Sequence, residues 1–234
     1  MSLRRRASAL VLNTLLSLVV VTVLWFVGLW AFNVKPFIGK NPIDVYKFLF
    51  EVPTAAENRD MVAAALGQTM IDASIGFVVG MFLATLLSLL FSLSKGIEQS
   101  LMPVAMLLRS VPLIAMAPII VLIFGREQMS VAVMGAIVVL FPALVNIVFG
   151  LRSAPPAMFD LVNVYGGNKY DALRTVALPS SLPLFFAALK ISVPGAITGA
   201  LLVEWLATGQ GIGYAISQRM LNSGARVVMW DIDA

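Results

Sequence analysis

The sequence predicts an all-α membrane protein, a polytopic helical bundle of about five spans with one structured polar element between the last two. Three observations predict it. The chain of 234 residues is 60% hydrophobic and only 12% charged, with a mean hydropathy of +0.95, and a soluble domain carries about twice that charged fraction. Residues 7–34, 73–94 and 128–151 hold no charge at all, and a bilayer core about 30 Å thick needs roughly 20 apolar residues as helix. Between two later apolar runs lies "NVYGGNKYDALRTVALPSSLP" (163–183), polar and punctuated by glycine and proline. Burying this much apolar surface inside one soluble core of this length is implausible.

The same composition excludes several function classes. There is no Cys and no His, which removes disulfides, thiol nucleophiles, Cys/His metal sites and histidine acid–base chemistry. A net charge of +4 with no basic stripe gives nucleic-acid binding no support.

The elements follow in order along a single transmembrane domain, 1–234. Helix 1 is expected at 9–32. Its basic start, Arg4, Arg5 and Arg6, precedes an apolar run too long for a signal peptide and followed by no small-x-small cleavage site, so it reads as an uncleaved first span with a cytoplasmic N-terminus. With this cluster counted, Lys and Arg are near balance between the two sides, so the orientation rests on Arg4–Arg6 alone. Residues 33–60 read as an external loop with one short amphipathic helix near 42–51. Helix 2 is expected at 64–93, longer than the bilayer requires, followed by a turn at 94–100. Helix 3, at 101–125, holds Pro103, Pro112 and Pro118, which implies a bent or broken span. A tight turn at 126–130 leads to helix 4 at 130–150. Helix 5 is expected at 183–206, and the tail from Ala207 to Ala234 is amphipathic, with no further span. "GFVVG" (Gly76, Gly80) and "GAITG" (Gly195, Gly199) have the G-x-x-x-G spacing that lets helices approach closely, a pattern also common by chance.

The polar region of about 151–182 is more than a connector. Pro155 and Pro156 suit a first helical turn. Gly166-Gly167 suits a helix end. Asn168 with Asp171 forms a capping-box pair for a second helix. That second helix is expected to run to Leu178, where Pro179 stops it. Two capped short helices around a glycine elbow, on the cytoplasmic side, read as a docking surface.

Here a resemblance appears. The spacing Asp160-(x5)-Gly166-(x11)-Leu178-Pro179 resembles the EAA loop, EAA-x3-G-x9-I-x-LP, of permease subunits in binding-protein-dependent ABC importers. Gly166, Val176, Leu178 and Pro179 fall in register with its Gly, Ile, Leu and Pro, while Asp160-Leu161-Val162 stands for Glu-Ala-Ala. Three further stretches are similar to the nitrate/sulfonate/taurine permease group: "LLRSVPLIAMAPIIVLIFG" (107–125), "VEWLATGQGIGYAI" (203–216) and "PFIGKNPIDVYKFLF" (36–50). The resemblance covers about 36–216. That group has a further span after the Gly-Ile-Gly-Tyr region, whereas this chain ends at "RVVMWDIDA"; a truncated chain and a shortened member both stay open.

The resemblance implies a permease in the plasma (inner) membrane with no catalytic residue, no metal and no cofactor of its own, ATP being bound by a partner ABC ATPase. It also implies a second permease subunit, the same or a different chain, and an extracytoplasmic substrate-binding protein. Met158 to Leu173 would lie in a groove on the ATPase. Gly166 and Gly167 would give the bend, Asp160 would meet a basic patch and Lys169 a carboxylate, with Arg174, Leu178 and Pro179 completing the coupling loop. The bland reading of Asp160, Lys169 and Arg174 is solvated surface charge.

Asp72, Arg109 and Glu204 are ionisable residues in or near the membrane, where charges pair or face a cavity. Arg109, beside Pro112, is a candidate to attract an anionic substrate; the competing reading is an Arg109–Asp72 or Arg109–Glu204 pair. Glu204 matches a glutamate of the group near the outer end of helix 5 and is expected to fix the glycine-rich outer segment or meet the binding protein. Asp72 stands where the group often has arginine. Lys190 reads as a snorkelling residue. "GQGIG" (209–213) lacks the context of a phosphate loop and reads as an outer turn or a re-entrant segment. Nitrate, a sulfonate or taurine is the implied substrate class, with vitamins such as thiamine precursors open. The rival function is an ion-driven secondary transporter using Asp72 and Glu204, which lacks an inverted repeat and leaves 151–182 unexplained. A membrane enzyme lacks any constellation of catalytic groups.

Overall fold

The computed structural model describes residues 3–34 and 39–222. The first residues of the resemblance, 36–38, and most of the tail expected from Ala207 to Ala234, residues 223–234, lie outside the described residues. Ten α-helices are described: α1 (Leu3–Ala31), α2 (Pro42–Phe50), α3 (Ala55–Leu93), α4 (Lys95–Ser110), α5 (Leu113–Phe124), α6 (Gln128–Leu151), α7 (Pro156–Val164), α8 (Lys169–Ala172), α9 (Leu178–Val203) and α10 (Gly211–Asn222), with π-helical turns at Leu173–Ala177 and Glu204–Thr208. Among the described residues four helical stretches are long and apolar enough to cross a membrane, or five if the bent pair α4–α5 is one span. The all-α polytopic expectation is met.

Among the described residues two compact units can be distinguished, one of residues up to 63 with 219–222, the other residues 64–218. In the first, Pro42 starts α2 and Asn41 caps it: the Asp44 N–H donates to Asn41 Oδ1 (2.8 Å), and the Asn41 N–H donates to Asp44 Oδ2 (3.3 Å). The carbonyls at the end of α2 are satisfied by side chains from the start of α3. Asn58 Nδ2 donates to Phe48 O and Arg59 to Leu49 O, each at 2.8 Å, and the Arg59 guanidinium sits 5.8 Å above the Phe50 ring.

α3 begins nine residues before the expected position 64 and is 39 residues long, about 58 Å at 1.5 Å per residue. Hydropathy locates the part of a helix that lies in lipid, whereas the Ala-, Glu- and Arg-containing segment before it is a good helix former that needs no lipid. The expected turn at 94–100 is likewise corrected. Ser94 is extended and its Oγ accepts the Ile97 N–H (3.5 Å), so it is the N-cap of α4 and the helix resumes at once.

The broken third span is observed. α4 and α5 meet at 105°. Val111 takes an extended conformation (φ −71°, ψ 127°), as a residue before proline must, and Pro112 opens α5. Gly125, at φ +82°, closes α5, and α6 starts at Gln128.

In the second unit α6 and α9 form the central pair, with α3 crossing α6. The crossing is made by glycines. A Cβ on Gly76 would lie 2.7 Å from the Gly135 Cα, one on Gly80 would lie 2.7 Å from Ala136 O, and one on Gly199 would lie 3.1 Å from the Gly135 Cα. The two G-x-x-x-G patterns therefore meet the same point of α6 from either side. Around it pack Met134, Val139, Leu144, Ala196 and Ala200, all buried.

Candidate functional site

The polar element is built as its residues dictate. α6 ends at Arg152, whose guanidinium pairs with Glu98 of α4. Ser153 Oγ lies 2.8 Å from Gly150 O and 3.1 Å from Ser180 O, joining the end of α6 to the start of α9. Pro156 stands in the first turn of α7. Gly166 ends that helix at φ +78°, a left-handed conformation that favours glycine, and its N–H donates to Asn163 O (3.0 Å). Gly167 is glycine for space: a Cβ there would sit 3.0 Å from Val162 O. Asn168 Oδ1 accepts the Tyr170 and Asp171 N–H groups (2.8 and 3.1 Å), and Asp171 Oδ2 accepts the Asn168 N–H (2.8 Å), the capping box that the sequence predicts.

The continuation differs from expectation. Pro179 does not stop the second helix. α8 passes through the π-turn Leu173–Ala177 straight into α9, with Pro179 in the first turn of α9. The Leu178 N–H donates back five residues to Leu173 O. The wider register absorbs the donor that proline lacks and the clash its ring would cause. Lys169 to Leu206 is therefore one helical rod, and helix 5 starts earlier than residue 183.

Leu173, Val176 and Ala177 are buried and anchor this rod to the core. Asp160, Lys169 and Arg174 are exposed. So are Met158, Leu161, Val164, Tyr165 and Tyr170, the last three among the most exposed apolar groups of the chain at 83%, 83% and 61%. Leu178 and Pro179, with Arg174, edge an apolar cavity of about 380 Å³ that reaches Thr85 and Leu89 on α3 and Ile147 on α6.

The intramembrane charges are arranged differently from the two pairs weighed above. Arg109 is exposed on the last turn of α4 and pairs with neither Asp72 nor Glu204. Asp72, 3% exposed, accepts instead from two amides, Gln68 Nε2 (3.0 Å) and Gln128 Nε2 (3.3 Å). These neutral donors, at the start of α6 and one turn away on α3, are its hydrogen-bond partners among the described residues.

Glu204 is fully buried at the junction of α9 and its terminal π-turn. Its Oε2 accepts the Thr69 hydroxyl (2.9 Å) and the Gly213 N–H (3.0 Å), and Thr69 Oγ1 accepts the Ile212 N–H (3.0 Å). One carboxylate thus ties α3, the end of α9 and the N-terminus of α10. The glycines of "GQGIG" make this possible. Gly209 and Gly211 are left-handed (φ +67° and +80°), and a Cβ on Gly211 would collide with the Glu204 carboxylate. A Cβ on Gly213 would collide with Leu201 O. Glu204 is thus hydrogen-bonded to the glycine-rich segment through the Gly213 N–H. Lys190 is exposed.

Sequence reasoning missed Thr69, Gln68, Gln128 and Gly135. The signal for the first two was a polar cluster, Gln68, Thr69 and Asp72, at helical spacing in an apolar segment; nothing local marks Gln128 or Gly135 as partners.

Comparison with known proteins bears on these features. The pattern of the family described as binding-protein-dependent transport system inner membrane component matches residues 60–229. A probable ABC transporter permease protein of Haemophilus influenzae is 32% identical over 159 residues, 68% of this chain and 63% of that protein. The formylaminopyrimidine transport permease protein ThiX of Halalkalibacterium halodurans is 31% identical over 187 residues, 80% of this chain and 72% of that one. The putative aliphatic sulfonates transport permease protein SsuC of Bacillus subtilis is 29% identical over 144 residues, 62% and 52%. The matched region thus takes in between about half and about three quarters of these relatives' lengths.

Proposed function

The chain belongs to the family of binding-protein-dependent transport system inner membrane components, and from that premise we propose that it is the transmembrane permease subunit of an ATP-driven ABC importer of a small solute. The observation that carries the proposal is mechanical. The exposed apolar face of α7 and α8, with Val164, Tyr165 and Tyr170, turns at the Gly166–Asn168 elbow, and the capped α8 runs without a break into the rod from Lys169 to Leu206. A partner ATPase that closes on nucleotide would push this face. The push would travel along α9, which the glycine crossing holds against α6. In this reading Asp160, Lys169 and Arg174 supply the polar rim of the docking surface and Gly166 and Gly167 its bend. The chain makes and breaks no covalent bond; ATP is bound and hydrolysed by the ATPase subunit.

The other partners in this reading are a second permease subunit, an extracytoplasmic binding protein and membrane lipid. In this reading the N-terminus is cytoplasmic, which the Arg4–Arg6 cluster supports. Arg109, exposed and unpaired among the described residues beside the α4–α5 break, is free to attract a small anion such as a sulfonate, nitrate or taurine. The likeness to ThiX supports a second substrate class, a formylaminopyrimidine, which would not need Arg109.

Gly166→Arg tests the docking surface. A Cβ at φ +78° strains the elbow and the long cation stands in the bend. The variant is expected to remain in the membrane while the ATPase no longer co-purifies and uptake is lost. Normal ATPase retention with normal uptake overturns the assignment. A protonophore added to the wild type separates ATP-driven uptake from ion-driven uptake through Asp72 and Glu204.

A further inference from the structure

The Glu204 cluster holds an imbalance that the coupling reading does not use. Only one carboxylate oxygen of Glu204 is satisfied. Oε1 is buried and has no hydrogen-bond partner, and neither has the buried Oγ1 of Thr208. These two oxygens lie four residues apart on the same π-turn, hence on one face of it. Asp72, itself buried, stands one turn along α3 from Thr69, the residue that bonds Glu204. Among the described residues no basic side chain forms an ion pair with Glu204 or Asp72. A fully buried carboxylate without a counter-charge is strongly unfavourable.

The backbone adds to the same field. The last carbonyls of a helix have no intrahelical partner and carry its partial negative charge. α9 and its π-turn end here, at left-handed Gly209. The N-terminus of α10 offsets only the other oxygen, Oε2, through the Gly213 N–H. A carboxylate oxygen, a hydroxyl and the carbonyl end of an interrupted helix are the donor set that membrane proteins use for sodium. The donors are all oxygen, which excludes soft metals. Among the described residues no three His, Cys, Asp or Glu side chains are grouped so that they could hold a metal ion, so the carboxylate-rich cage usual for a divalent ion is not found there.

We infer that Glu204 Oε1 and Thr208 Oγ1, with the carbonyl end of the Glu204–Thr208 turn, form a binding site for a monovalent cation of the sodium class, which locks α10 to α3 and α9. The ion is a structural counter-charge and not the driving ion, so the site stands or falls independently of ATPase coupling.

The test uses the full chain, purified in detergent. Its thermal unfolding is followed in sodium chloride and in choline chloride at equal ionic strength and pH, and the binding of radioactive sodium is measured at equilibrium. Two variants are compared. Thr208→Val removes one oxygen and keeps the shape. Glu204→Gln keeps an acceptor for Thr69 and Gly213 and removes the charge. The expected result is a higher melting temperature in sodium than in choline, saturable sodium binding, a loss of at least about tenfold in affinity in Thr208→Val, and no binding in Glu204→Gln. Equal melting in the two salts overturns the site, as does equal sodium affinity in wild type and Thr208→Val. If acidification in choline stabilises the chain as fully as sodium does, a proton is the counter-charge and the proposal falls. The wild-type comparison decides even if Glu204→Gln does not fold.

Discussion

Gly76→Ala is the sharpest test of the helix crossing. The added Cβ would lie 2.7 Å from the Gly135 Cα, 3.0 Å from the Gly135 carbonyl carbon and 3.3 Å from the Ala136 nitrogen. Carbon atoms in ordinary contact are about 3.5–4.0 Å apart, so α3 and α6 must part by about 1 Å, and a gap of that size forfeits a quarter to a half of each dispersion contact along the seam. The contacts struck are backbone, which no rotamer change can relieve. Overpacking of this kind costs about 1–3 kcal/mol. Alanine returns up to about 1 kcal/mol through helix propensity. Gly67→Ala is the internal control, because it lies on the same helix and a Cβ there meets nothing within 4 Å. Only the propensity gain of about 0.5–1 kcal/mol applies to it. The propensity gain is common to both, so the two variants should differ by the overpacking cost alone, about 1–3 kcal/mol, with Gly76→Ala the less stable of the two and Gly67→Ala at or above wild type. The assay is reversible unfolding of the purified chain in mixed micelles of rising dodecyl sulfate fraction, read by the shift in midpoint. Equal midpoints for the two variants would refute the view that the glycines of α3 and α6 are in backbone contact.

Two further variants probe the two ends of the rod. Asn168→Ala removes the acceptor of the Tyr170 and Asp171 N–H groups and should cost about 1 kcal/mol, seen as faster amide exchange at 169–172 with α6 unchanged. Thr69→Val removes the hydroxyl shared by Glu204 and Ile212. With a buried carboxylate losing one donor, a loss of about 1–3 kcal/mol is expected, read as faster exchange at Ile212 and along α10. Unaltered exchange there would mean that α10 is held by other contacts.

Much of the architecture is legible in the residues because it is written locally. Charge-free runs mark what lies in lipid. Pro112 and the residue before it mark the break in the third span. Gly166, Asn168 and Asp171 mark the elbow and cap of the polar element. Their spacing with Leu178 and Pro179 carried the family resemblance. Errors arose where a local rule met a neighbour or a wider register. Proline ends an α-helix, but the π-turn at Leu173–Ala177 carries the chain past Pro179. Charged residues end a hydropathy peak, but α3 continues into them, with Asn58 and Arg59 bonded to the end of α2. Asp72 and Arg109 invite pairing by charge, yet two glutamines reach Asp72.

The sequence by itself determined the spans, the broken third helix, the capped polar element and the absence of histidine and cysteine chemistry, since each depends on composition or on residues within one or two turns of each other. Tertiary structure alone decided which glycines touch, that Gly135 receives both Gly76 and Gly199, and that Thr69 and Gly213 meet Glu204 across 135 and 9 residues of chain. A close approach between helices depends on the crossing of two backbones. The burial of a carboxylate depends on which neighbours exclude water and which donate to it. Both are properties of the packed molecule, and no window along the chain contains them.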